Sequence, residues 1–240
     1  MTNSDILNPL NSTELISMDE HLNEMIELYN SKKFPKVFLL NGKKGIGKFT
    51  LVFHFLNYVF SQKEANHYNT ETKKIHSEST FYKQILNQTN QDVIFIKAEE
   101  NKNIKIEEIR NLKISLSNSS LSSSPRFIVI DEIEFINLNS VNALLKSLEE
   151  PTNNNYFILI NNQQTNLIKT ISSRCLKKNI FLNNKESKLI INYLLKKNNI
   201  EDLLINKNNL SPGMFLCFNS LYLKYNISKN DHILDKIKTL

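Results

Sequence analysis

Phe127-Ile-Val-Ile-Asp-Glu132 opens the segment whose reading decides the fold, and that segment runs to Cys175. It is an apolar run ending in two acids. After it come Ser140-Val-Asn-Ala-Leu-Leu-Lys-Ser-Leu-Glu-Glu-Pro151, a second apolar run Tyr156-Phe-Ile-Leu-Ile160 tipped by Asn161-Asn162, and Thr170-Ile-Ser-Ser-Arg-Cys175. The two apolar runs predict strands. Val141, Leu144, Leu145 and Leu148 share one helical face, and Pro151 ends that helix. Strand, acid, helix, strand, polar tip and late arginine predict the second half of an α/β nucleotide-switch domain with a central parallel sheet.

The first half requires a phosphate loop upstream. Val37–Leu40 reads as a short buried strand, and Asn41-Gly-Lys-Lys-Gly-Ile-Gly-Lys48 follows it directly. Gly42, Gly47 and Lys48 have phosphate-loop spacing between a strand and a helix pattern. Glycines let backbone N–H groups curl around phosphates, and the helix N-terminus adds positive potential. Lys48 is placed to reach the terminal phosphates. The chain has 4 glycines, and Gly42, Gly45 and Gly47 are three of them. A plain glycine turn is the competing reading. The residue after the lysine should be Ser or Thr to hold Mg²⁺, but it is Phe49; Thr50 lies about 100° further round the helix. The loop therefore supports phosphate binding and speaks against metal-assisted hydrolysis.

Asp131 and Glu132 end their strand where open α/β sheets bind ligands. An aspartate there can hold Mg²⁺ through water, and the next glutamate can orient an attacking water. Asn161 and Asn162 are candidate γ-phosphate sensors, with a turn asparagine as the equal alternative. The chain has only three arginines, Arg110, Arg126 and Arg174, among 30 basic residues. Lysine cannot copy the rigid guanidinium fork, so each arginine calls for an explanation.

Elsewhere, Thr13–Asn30 reads as a helix, Leu51–Phe60 as a buried helix, and residues 61–91 as a polar surface insertion with one helix near Phe81–Leu86. Asp92–Ile96 reads as a strand, Ile104–Leu116 as a helix, Ser117–Pro125 as a serine-rich loop and Asn166–Ser173 as a short helix closed by Arg174. Lys185–Lys197 and Ser211–Tyr225 form two further helices with apolar faces. The 240 residues allow one or two domains. Hydrophobic residues make up 40% of the chain, and no apolar run approaches the roughly 20 residues of a membrane span. The first residues lack a basic segment followed by an apolar one, so a cytoplasmic chain is expected. Two cysteines, Cys175 and Cys217, cannot form a four-thiolate zinc site, and the 5 histidines lack ligand spacing, so no metal-ligand set is expected. The net charge of +6 suits either a role near nucleic acid or a solvated lysine-rich surface.

In combination and in order, the phosphate loop, Ile104–Leu112, Ile130-Asp-Glu132, the helix ending Leu148-Glu-Glu-Pro151 and Ser173-Arg-Cys175 resemble the clamp-loader branch of the AAA+ ATPases. Within it they are most similar to the delta-prime family of bacterial DNA polymerase III. The resemblance covers about residues 10–220. It implies an AAA+ P-loop domain over residues 1–178 and a small helical lid over 179–240. Only about two helices follow Gly213, so a full collar domain is not expected within the chain. The implied partners are motor and delta subunits of the loader, the sliding clamp, and primed DNA through the complex. The implied ligand is ATP with Mg²⁺, at a site made degenerate by Phe49. Gly42, Gly45, Gly47, Lys48, Thr50, Asp131, Asn161 and Asn162 are the nucleotide candidates and Glu132 the catalytic one. Arg174 is the implied arginine finger for a neighbour's ATP. Two departures favour a stator over a motor: Phe49, and Met214 in Ser211-Pro-Gly-Met214, where motor subunits carry a sensing arginine. The family's four-cysteine zinc module is missing, so no zinc is expected. The alternative function is a self-sufficient AAA+ ATPase.

Overall fold

The computed structural model describes residues 8–98, 103–117, 124–151, 154–204 and 210–225. Five strands, β1 (Val37–Asn41), β2 (Val93–Lys97), β3 (Arg126–Asp131), β4 (Asn155–Asn161) and β5 (Leu176–Asn179), form one sheet in the order β2-β3-β4-β1-β5. Every pairing is parallel. Strands β1, β3 and β4 are apolar without alternation because both faces are covered. On one face Phe38, Leu40, Phe127, Val129, Ile158 and Ile160 pack with helices α1 (Asp19–Asn30) and α2 (Lys48–Ser61). On the other, Val37, Leu39, Ile128, Ile130, Phe157 and Leu159 pack with α4 (Ile106–Ser117) and α5 (Leu138–Glu149). Between these helix pairs in sequence lies α3 (Thr80–Leu86). The one-turn α6 (Lys169–Ser172), then α7 (Asn184–Lys197) and α8 (Pro212–Lys224), are the last helices among the described residues. Helices α7 and α8 enclose a smaller cluster of Ile191, Leu204, Phe215 and Leu216. No helix among the described residues is long and apolar enough to cross a membrane.

Four segments differ from expectation. Helix α1 starts at Asp19, not Thr13. Leu15 N–H donates to the Lys73 carbonyl and Ile75 N–H to the Thr13 carbonyl, so the insertion captures this backbone in extended pairing. Leu15 and Met18 are buried all the same. The insertion is not merely surface: Tyr68, Ile75, Phe81, Tyr82 and Ile85 join the main core. The helix expected over 166–173 shrinks to α6, because the preceding turn is held by Glu134, described below. Strand β5 was not expected at all. Leu-Lys-Lys-Asn has no apolar run, as suits a sheet edge blunted by lysine. Most of the serine-rich loop (118–123) and residues 226–240 of the expected lid lie outside the described residues.

An amide ladder joins the ends of three strands. Asn41 is in register with Asn161 on β4 and with Asn179 on β5. Asn161 Nδ2 donates to Asn41 Oδ1 (2.7 Å), and Asn41 Nδ2 donates to Asn179 Oδ1 (2.8 Å). The ladder sits one residue before Gly42 and so fixes where the loop leaves the sheet. Replacing Asn41 with leucine orphans the buried Asn161 amide. It should lower unfolding free energy by about 1–3 kcal/mol in urea titration; an unchanged midpoint would show the ladder to be incidental.

His54 ties the N-terminal segment to α2. It is fully buried, with Nδ1 2.9 Å from the Tyr68 hydroxyl and Nε2 2.9 Å from the Ser12 carbonyl. The carbonyl requires a donor at Nε2, leaving Nδ1 to accept from tyrosine. Burial lowers the imidazole pKa to about 4. Between there and the unfolded value near 6.5, the unfolded chain binds a proton that the folded chain does not, so stability falls with falling pH. Denaturation midpoints should show a loss of about 3 kcal/mol from this group across that window. The loss should be flattened in His54→Gln; an equal slope in the variant would assign it to other groups.

Candidate functional site

Strand β1 ends at Asn41, and the loop from Gly42 to Gly47 delivers the chain to α2 at Lys48. Gly45 and Gly47 have φ of +78° and +96°, a left-handed region that side-chain-bearing residues avoid. Lys48 is buried, and its Nζ donates to the carbonyls of Gly42 (2.8 Å) and Lys43 (2.7 Å). Burial lowers its ammonium to about 8, against the opposing pull of Asp131 and Glu134. The lysine holds its own loop in shape. None of the four N–H groups from Gly45 to Lys48 donates to another described residue, so the loop retains its anion-binding face.

The start of α8 packs directly on this loop. Ser211 caps α8, and its Oγ donates to the Lys44 carbonyl (2.6 Å). Gly213 N–H donates to the Gly45 carbonyl (2.8 Å). A Cβ on Gly213 would lie 2.8 Å from Gly45 Cα, so neither glycine tolerates a side chain in this closed arrangement. Tyr193 of α7 adds a bond from its hydroxyl to Glu14 (2.6 Å), which Lys74 also pairs (3.1 Å).

Asp131 is buried at the end of β3, and burial raises its carboxyl pKa. Its Oδ1 accepts from Glu132 N–H (2.9 Å) and Asn162 Nδ2 (3.2 Å). Glu132 is in the left-handed region (φ +57°) and is buried, a strained placement for a residue with a side chain. Its carboxylate is paired with Lys44 of the phosphate loop at 2.8 Å. Glu134 was not singled out from the sequence. Its carboxylate accepts from Asn162 N–H (3.0 Å) and Gln164 N–H (3.4 Å), fixing the turn after β4. An acid between Ile133 and Phe135 carries no spacing signal that separates such a brace from a surface charge.

A cavity of about 310 Å³ lies between the loop, the sheet end and helices α7 and α8. Gly45, Gly47, Lys48, Thr50, Asp131, Glu132 and Asn162 line it, and Ile16, Met18, Ile190, Leu194 and Met214 supply an apolar wall. The structure thus gathers most of the expected nucleotide candidates. Gly42 belongs to the same loop, below the cavity, where a Cβ would lie 2.4 Å from the Ile180 carbonyl. Asn161 is the exception. Committed to the amide ladder, it lines a separate polar hollow with Gln163, Thr165 and Lys177. The two asparagines are neighbours in a strand end and face opposite ways.

Mg²⁺ does not fit the residues present. Phe49 holds the hydroxyl position and packs on Phe95, ring centroids 5.4 Å apart. Asp131 Oδ1 is already occupied by two N–H donors, and Glu132 by Lys44. Among the described residues no cluster of histidine, cysteine, aspartate or glutamate is arranged to hold a metal ion.

Arg174 lies outside the cavity, just after α6. Its Nε donates to Glu149 Oε1 (2.7 Å) and one terminal nitrogen to the Thr170 carbonyl (2.8 Å), with the side chain 32% exposed. Cys175 beside it is half-buried, and burial pushes the thiol up to about 11, so it is protonated at neutral pH.

A family model described as DNA polymerase III, delta subunit, matches residues 18–183. The chain is 30% identical over 141 residues to the DNA polymerase III subunit delta' of Pseudomonas aeruginosa, covering 58% of this chain and 41% of that one. It is 33% identical over 165 residues to the gamma subunit of Buchnera aphidicola subsp. Acyrthosiphon pisum, covering 68% and 43%. The chain therefore spans less than half the length of these curated relatives. Among solved structures, the Thermotoga maritima RuvB Holliday junction branch migration motor superposes with a TM-score of 0.55 at 16% identity, over 91% of this chain and 66% of that one; this supports the AAA+ fold alone. With its sheet, its phosphate loop and the family model matching residues 18–183 in hand, the chain belongs to the DNA polymerase III, delta subunit, family.

Proposed function

We propose that the chain is the stator of a clamp loader, an arginine donor whose own site does not turn over ATP. The observation that carries this reading is the position of Arg174. It lines no part of the chain's own cavity, yet its fork is held in place at the surface by Glu149 and the Thr170 carbonyl. An exposed pair of this kind is worth little in stability, so the guanidinium can leave Glu149 for phosphoryl oxygens of a neighbour at small expense. The family resemblance supplies that neighbour: a motor subunit whose ATP site the Ser-Arg-Cys arginine completes. Residues 1–178 would act as the rigid nucleotide-switch domain and 179–240 as its lid. The assembly would work in the cytoplasm with motor and delta subunits, opening the sliding clamp and placing it on primed DNA.

Two features of the chain's own cavity argue against the reading as a self-sufficient ATPase. Phe49 removes the metal-ligand hydroxyl, and Lys44 neutralises Glu132, the residue that would orient water. The decisive experiment is DNA- and clamp-stimulated ATPase of the motor subunits reconstituted with wild-type chain or Arg174→Ala. Turnover should fall by at least roughly tenfold with assembly intact, within the effect of arginine fingers in other hydrolases. Arg174→Lys should rescue poorly, because it keeps the charge and loses the fork. Unchanged turnover in both variants would remove Arg174 from the reaction.

A further inference from the structure

The cavity still has the parts of a phosphate site although it lacks those of a metal site. Its loop presents the unpartnered N–H groups of Gly45 to Lys48, and its lid and N-terminal segment supply an apolar wall suited to a base. Its described residues do not offer a ligand set for the divalent ion that ordinarily screens the polyphosphate.

Three lysines surround the phosphate position, and two are engaged. Lys44 is paired with Glu132, and Lys48 is bonded to its own loop. The third, Lys97, ends β2 in register with Asp131 of β3. Paired residues on adjacent parallel strands point to the same side of the sheet, and both of these line the cavity. The Lys97 side chain makes no hydrogen bond or ion pair with another described residue, and the residue is exposed. Its charge acts on Asp131, drawing that carboxyl's pKa down against the effect of burial, so the ammonium sits on a flexible stem beside the carboxylate that a metal would share.

We propose that this cavity binds a nucleoside polyphosphate without a divalent metal ion, with Lys97 supplying the positive charge that the metal would bring. The loop N–H groups take the phosphate oxygens, Lys97 bridges between them and Asp131, and Phe49 keeps a hydrated ion from the hydroxyl position. No bond is made or broken. The bound nucleotide would hold the lid on the loop through Gly45 and Gly213. The inference rests on the family reading of the cavity and is independent of Arg174, so either can fail without the other.

Isothermal titration of the full chain with ATP, ADP and tripolyphosphate, in EDTA and in magnesium, tests it. ATP should bind in EDTA at least as tightly as in magnesium. Lys97→Ala should weaken that binding by roughly tenfold and Lys97→Arg should preserve it. Phe49→Thr should make binding metal-dependent, roughly tenfold tighter with magnesium than without. Tripolyphosphate binding as tightly as ATP would overturn the nucleoside assignment. Absence of binding in EDTA, a wild-type requirement for magnesium, or indifference to Lys97→Ala would each overturn the proposal, while leaving the motor-ATPase test of Arg174 untouched.

Discussion

A backbone-to-backbone contact organises this molecule. The Gly45 carbonyl accepts the Gly213 N–H at 2.8 Å, and the two chains pass so closely that neither has room for a Cβ. The chain has 4 glycines, and all of them serve this spot: three shape the loop and the fourth lets the lid reach it. In a sequence so poor in glycine, the positions that kept it are those where close approach leaves no alternative. The lid, the cavity it roofs and the apolar wall it contributes all follow from that approach.

The charges around the loop are arranged to hold it rather than to react. Lys48 bonds inward to Gly42 and Lys43, Lys44 reaches across to Glu132, and Glu134 fastens the turn carrying Asn162. Lys48, Glu132 and Oδ1 of Asp131, which a hydrolytic site would leave available, each have a partner within the chain. The amide ladder bonds the strand ends beneath them.

The parts legible in the sequence were those whose signal is local. Strands buried on both faces announce themselves as apolar runs, which placed β1, β3 and β4, and the loop glycines announced the turn that lines the cavity. The parts that were not legible depend on pairing at a distance. Nothing near Asn41 reveals that Asn161 and Asn179 will align with it, and nothing near Glu134 reveals the N–H groups it will brace. Thr13–Met18 has helical apolar spacing, and its buried residues are the ones that spacing selected, but the insertion took its backbone for extended pairing. Asn161 and Asn162 look equivalent in sequence; strand alternation sends one to the cavity and one to the ladder.

Helix α5 runs the 12 residues from Leu138 to Glu149, opened by an Asn137 cap, and its last residue holds Arg174. The helix is thus a measured spacer as well as a wall of the core. Adding or deleting one residue would swing Glu149 by about 100° around the helix axis and leave the guanidinium to the Thr170 carbonyl. Substitutions on the exposed face of this helix are free to accumulate, but its length is not. Relatives that keep the Glu149–Arg174 pair should therefore vary in the composition of this segment and keep its residue count.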